Sequence, residues 1–123
     1  VVLGESLLGD RLQVNLDRVH LIRDYPNALF LNAFDISIQA GGYNSFHEMR
    51  KQSIPTLFLP NMNTGMDDQL ARCKVAEEEG WGIVNINPES IKANIGKILD
   101  YENLHPKDIE NGAKILAKYL INE

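Results

Sequence analysis

Residues Asp35–Pro60 read DISIQAGGYNSFHEMRKQSIPTLFLP, and the rest of the chain is best read outward from them. Two short apolar runs, Asp35–Gln39 and Thr56–Leu59, flank a glycine pair and a segment of helical character. Pro55 and Pro60 bracket the second run, and a run this short between prolines is a buried strand rather than a helix. The first run reads as a strand too, ending just before Gly41 and Gly42, with a helix expected over Asn44–Gln52.

The same alternation continues on both sides. Val1–Gly4, Arg18–Ile22 and Gly82–Ile86 read as further strands. Helices are expected over Asn27–Phe34, with Pro26 near its first turn, and over Asp68–Glu79, with Gly80 as its stop. Two more follow at Pro88–Tyr101 and Pro106–Ile121, each with apolar residues at helical spacing. Short strands rich in Val, Ile and Leu that alternate with helices predict an α/β fold: a Rossmann-like parallel sheet of about five strands, helices on both faces. Residues 1–123 are expected to form a single domain, and ligands in such sheets gather at the carboxyl ends of the strands. Gly41 and Gly42 lie at such an end.

Composition narrows the function classes. The 123 residues carry a net charge of -5, which argues against a nucleic-acid partner, since that needs clustered Lys and Arg. Cys73 is the single cysteine, so the chain holds no internal disulfide and no cysteine cage for a metal. This fits a reducing, cytoplasmic setting. No apolar run reaches the length of a membrane helix. The chain opens on Val1 rather than Met, which suggests a piece of a longer protein.

A glycine pair before a helix allows a sharp turn and lets a ligand approach the backbone closely. The first helical turn offers unpaired N–H groups, and with the helix dipole these attract anions, phosphate above all. Asn44 and Ser45 suit the N-cap, and Glu48 lies one turn further on, placed to accept hydrogen bonds from sugar hydroxyls rather than to hold phosphate. Ser45-x-x-Glu48 is equally a capping box, so on this stretch alone capping and ligand binding stand side by side. A second polar segment, NMNTGMDDQLAR, follows Pro60 and enters a helix at Asp67, Asp68 and Gln69. It should border the same crevice, and an Asp-Gln pair there offers acceptors and an amide donor to sugar hydroxyls. The plainer role for Asp67 and Asp68 is to cap the helix and complement its dipole.

Together these residues resemble the C-terminal domain of GT-B glycosyltransferases, the group holding the UDP-glycosyltransferases and the MurG-like bacterial N-acetylglucosaminyltransferases. The signature of the former has Gly-Trp-Asn-Ser-x-x-Glu, a proline before a strand, a proline after it, and an Asp/Glu-Gln pair. Here Gly42-Tyr43-Asn44-Ser45-Phe46-His47-Glu48, Pro55, Pro60 and Asp68-Gln69 match it in order and spacing, within a similarity running from about residue 18 to residue 85. The resemblance implies that Gly41, Gly42, Asn44 and Ser45 hold the phosphates of a UDP-sugar donor. It further implies that Glu48 binds the ribose, that Asp68 and Gln69 hold the transferred sugar, and that the base lies near Ile22 and Arg23. No metal cofactor is implied.

Two departures favour the MurG-like branch: Ala40 stands where the plant-type signature has a histidine, and the Trp and Gln of the plant base loop are absent. The resemblance also implies a separate N-terminal acceptor domain carrying the catalytic base. The full-length enzyme would then act on a hydroxyl of a cell-envelope lipid or glycan, with peripheral membrane association at the inner face. Two other readings stay open: half of a nucleotide-sugar hydrolase or epimerase, and a noncatalytic donor-binding subunit of a split transferase.

Several eye-catching residues have plainer readings. His47, two past Ser45, should point away from it, and neither His20 nor His105 has a partner at metal-ligand spacing. Cys73 reads as a small core residue, Trp81 as packing at a helix-to-strand turn, and Glu77–Glu79 as a solvated helix end.

Overall fold

The structure, a computed structural model, describes residues 1–5, 9–23, 27–101 and 112–121, which fall into two compact units, Val1–Phe34 and Asp35–Glu123. In the first unit, strands β1 (Val2–Gly4) and β2 (His20–Ile22) pair in parallel with Leu3 opposite Leu21. The helix expected after them is a 3-10 helix, Asn27–Ala33.

The second unit carries a parallel sheet of β3 (Ser37–Gln39), β4 (Thr56–Phe58) and β5 (Gly82–Val84), with β4 in the centre. The five expected strands are therefore all present, but as sheets of two and three rather than one of five. Helix α1 (Tyr43–Gln52) connects β3 to β4, and α2 (Gln69–Glu78) connects β4 to β5. After β5, Asn87 caps a 3-10 turn, Pro88–Ser90, which leads into α3 (Ile91–Leu99). The last helix, α4 (Gly112–Ile121), is exposed along its length; the earlier part of its expected span lies outside the described residues.

β4 shows why its sequence is apolar at consecutive positions: Thr56, Leu57 and Phe58 are all fully buried. Side chains alternate across a strand, so neighbours serve opposite faces. Leu57 packs with Ile83 of β5 and Ile98 of α3 on one side, joined by Ile36, Ile91, Ile95 and Tyr101. Phe58 meets Phe46 of α1 and Trp81 on the other, with ring centroids 5.7 and 5.6 Å away. Trp81 lies 5.1 Å from Phe46, and its indole N–H donates to Glu79 Oε2 at 2.8 Å. A buried indole finds a hydrogen-bond partner in this way because leaving its N–H unpaired is expensive.

Glu79 also pairs with Arg50, whose guanidinium reaches both its carboxylate oxygens. The pair ties the end of α1 to the end of α2. Glu79 thus departs from the expected solvated helix end, whereas Glu77 and Glu78 are exposed. Trp81 does pack at the turn from α2 into β5.

Candidate functional site

The chain leaves β3 through Ala40 and turns at Gly41, whose φ of +86° lies in the left-handed region that favours glycine. Gly41 is also fully hemmed in. A Cβ there would lie 2.3 Å from Cys73 Sγ and 3.3 Å from Phe58 Cδ1, so the turn rests directly on α2 and β4. Gly42 differs. Its φ is -56°, and nothing lies within 4 Å of where its Cβ would be. The first glycine is required by the fold, while the second leaves open space over the start of α1.

Gly42 is the N-cap of α1, and no side chain caps the helix. This corrects the placement of Asn44 or Ser45 at the N-cap, and with it the capping box, because the extended backbone of Gly42 lets the helix begin one residue earlier. Tyr43, Asn44 and Ser45 occupy the first turn instead. The first backbone bond closing the helix runs from the Phe46 N–H to the Gly42 carbonyl at 2.9 Å. The N–H groups of Gly42, Tyr43, Asn44 and Ser45 find no acceptor among the described residues. Glu48 is exposed on the second turn, one helical turn from Asn44 and Ser45, and likewise has no partner among the described residues. Free donors therefore precede a free acceptor along one helix.

The loop after β4 is tightly organised. Asn61 Oδ1 accepts from the Asn63 N–H, Thr64 Oγ1 donates to the carbonyls of Asn61 and Asp67, and Gln69 Oε1 accepts from the Asn61 N–H at 3.0 Å. Gln69 is buried, and its amide nitrogen lies 3.4 Å from Asp67 Oδ2. Asp68 is the N-cap of α2 and accepts from the Ala71 N–H at 2.9 Å. The plainer role foreseen for Asp68 is thus filled, and Gln69 braces the loop from within.

Sequence reasoning passed over Arg72. Its Nη1 donates to the Gly41 carbonyl at 2.9 Å, its Nη2 pairs with Asp67, and its guanidinium lies 5.5 Å from the centre of the Tyr43 ring. The hydrogen bond from Arg72 holds the Asp67 carboxyl below the usual carboxylate range, and the same bond raises the Arg72 pKa. The available signal was a basic residue within a turn and a half of two acidic ones on a helix start.

His47 stacks edge-on against Tyr43, with ring centroids 4.5 Å apart. Partial burial, then the Arg50 and Arg72 cations, lower its pKa below the ordinary histidine value. His20 lies exposed on β2, and His105 is outside the described residues. Arg23, beside the expected base loop, donates from Nη2 to the Gly9 carbonyl at 3.2 Å.

Cys73 is fully buried under Gly41, and burial pushes its thiol up to about 11. A thiol that is both covered and protonated is a poor nucleophile. A thiol reagent at pH 8 should therefore label the native chain roughly a hundredfold more slowly than the chain in urea. Equal rates would place the sulfur at the surface.

Among the described residues no helix is long and apolar enough to cross a membrane. No family model matches the chain, and no curated protein matches it in sequence. In three dimensions it is similar to the solved structure of the spinosyn forosaminyltransferase SpnP, with a TM-score of 0.63 at 20% identity. The match covers 99% of this chain but 35% of that one, so the chain spans about a third of the neighbour's length. At that identity the likeness speaks to architecture: the chain has a Rossmann-like α/β fold, with parallel strands flanked by helices, similar to the matched part of SpnP.

Proposed function

We propose that the chain is the donor-binding domain of a GT-B glycosyltransferase of the MurG-like group and holds a UDP-sugar for metal-independent transfer to a hydroxyl acceptor. One observation carries this reading: four N–H groups at Gly42–Ser45 and the carboxylate of Glu48 one turn on have no partner among the described residues, with open space above Gly42. Donors at a helix start suit a diphosphate, and an acceptor one turn later suits the vicinal hydroxyls of a ribose. The fold shared with SpnP and the match of Gly42–Glu48, Pro55, Pro60 and Asp68-Gln69 to the family signature support the same reading.

In the transfer, the bond from the anomeric carbon to the diphosphate breaks and a bond to the acceptor oxygen forms. Charge accumulates on the departing diphosphate, where fixed N–H donors stabilise it. The acceptor proton goes to a base that the resemblance places in the acceptor-binding domain, and the acceptor is a cell-envelope lipid or glycan. Asp68 and Gln69 lie at the end of the loop that would face the sugar.

Titrating the chain with UDP, GDP, CDP and TDP, each with and without a sugar, tests this reading. UDP species should bind most tightly and shift the amide signals of Gly41–Glu48 and Asp67–Leu70. Glu48→Ala should weaken UDP binding by about 1–3 kcal/mol through lost hydroxyl contacts and leave the melting temperature unchanged, because the carboxylate supports nothing in the fold. Shifts confined to other residues, or a Glu48→Ala chain that binds UDP as before, would sink the assignment.

A further inference from the structure

Arg72 reaches back 31 residues to the glycine turn and meets it with a flat, two-pronged donor. One prong takes the Gly41 carbonyl and the other takes Asp67, while the plane sits near Tyr43 and the side chain is 19% exposed. The neighbouring Cys73 supplies the floor under the same turn. The C=O and N–H of a trans peptide point in opposite directions, so holding the Gly41 carbonyl turns the Gly42 N–H away from the guanidinium. That N–H is one of the four without an acceptor among the described residues. A turn built from two glycines has little stiffness of its own, so an outside tether is needed to keep this peptide in one orientation.

We propose that Arg72 is a positioning residue for phosphate recognition: by gripping the Gly41 carbonyl and Asp67 together, it fixes the orientation in which the Gly42 N–H is offered to a diphosphate. The inference rests on the donor-site reading of α1 and deepens it. Arg72 does not itself serve as the phosphate's cation. Each terminal nitrogen already donates to a protein acceptor, and Asp67 offsets the charge. The same tether links the loop of Asn61–Asp68 to the start of α1, so order in that loop is transmitted to the phosphate donors.

The test uses the ¹⁵N-labelled chain with Arg72→Met, Arg72→Lys and Asp67→Asn, recorded first without ligand and then with UDP and with inorganic pyrophosphate. In ligand-free Arg72→Met, the Gly42 and Tyr43 amide signals should broaden or double as the peptide samples two orientations, while those of Leu57 and Ile83 stay put. Affinity for both UDP and pyrophosphate should fall about tenfold or more. Arg72→Lys should restore part of that loss, since an ammonium reaches one acceptor but not both at fixed geometry. Asp67→Asn should give a smaller loss, because the bond to Gly41 survives.

Unaltered Gly42 and Tyr43 signals with unchanged affinity in Arg72→Met overturn the proposal. If that variant fails to fold, the same two readouts on folded Arg72→Lys decide, and wild-type values there overturn it too. If neither UDP nor pyrophosphate moves any amide of the wild-type chain, the donor-site reading fails and takes the phosphate role of Arg72 with it. Ligand binding that survives Arg72→Met removes Arg72 alone.

Discussion

Gly41→Ala should destabilise the chain by about 2–5 kcal/mol, seen as a lower urea midpoint with an unchanged slope. Two independent penalties act at this position. An alanine at φ +86° carries the steric cost of the left-handed region, about 1–2 kcal/mol. Its methyl would also lie 2.3 Å from Cys73 Sγ and 3.3 Å from Phe58 Cδ1, and neither neighbour has room to retreat because both are fully buried. Overpacking of that kind typically costs a further 1–3 kcal/mol.

The two penalties can be separated. Cys73→Ala deletes the sulfur, so in that background Gly41→Ala should recover the larger part of the packing share, leaving the Phe58 contact and the backbone share. Gly42→Ala, at φ -56° with nothing within 4 Å, should change stability by less than about 1 kcal/mol. Its effect belongs to ligand binding, where the added methyl would fill the space above the helix start. A Gly41→Ala chain as stable as wild type would mean that the turn does not rest on Cys73 and Phe58.

The contrast between the glycines shows where sequence reading succeeds and where it stops. Strand, glycine turn, helix and strand were legible over Asp35–Leu59 because burial on both faces leaves a consecutive apolar run, and Thr56–Phe58 is buried throughout. Gly80 was legible as the stop of α2, and its φ of +80° explains why. The N-cap of α1 lies two residues before Asn44 and three before Ser45, since cap propensity favours Asn and Ser over glycine while the backbone here needed Gly42 to leave the turn at Gly41. That shift of the cap removes the capping box and leaves the donors on which the proposed function rests without an acceptor among the described residues.

Arg72 shows a different kind of illegibility. Its ion pair with Asp67 is local in sequence, but its meaning comes from a carbonyl 31 residues upstream, and no periodicity encodes which carbonyl that is. The division of five strands into sheets of two and three was hidden for the same reason. Strand content is written locally, whereas strand order depends on contacts between distant segments. Glu79, read as part of a solvated run, pairs with Arg50 and Trp81 through packing that composition cannot show.

Phe58→Ala should cost about 3–5 kcal/mol, a large share of the roughly 5–15 kcal/mol that holds a domain of this size together. Phe58 is completely buried, sits between Phe46 and Trp81, and touches both glycine contacts that brace its face of the sheet. A Cβ on Gly82 would lie 2.9 Å from its ring, as one on Gly41 would lie 3.3 Å away, so the ring fills the space under two segments at once. Truncation leaves a cavity there, and Gly41 is the segment with least stiffness to resist collapse into it.

The consequence for function separates Phe58 from its neighbour. Leu57→Ala opens a cavity of the same order on the opposite face, against Ile83 and Ile98, and should cost about 2–5 kcal/mol. Under conditions where both variants remain folded, Phe58→Ala should perturb the Gly41–Ser45 amides and weaken UDP binding, whereas Leu57→Ala should leave both close to wild type. Chemical denaturation gives the first pair of numbers, and amide spectra with a UDP titration give the second. Equal loss of affinity in the two variants would mean that binding follows overall stability, and that the aromatic floor beneath the glycine turn plays no separate part in shaping the site.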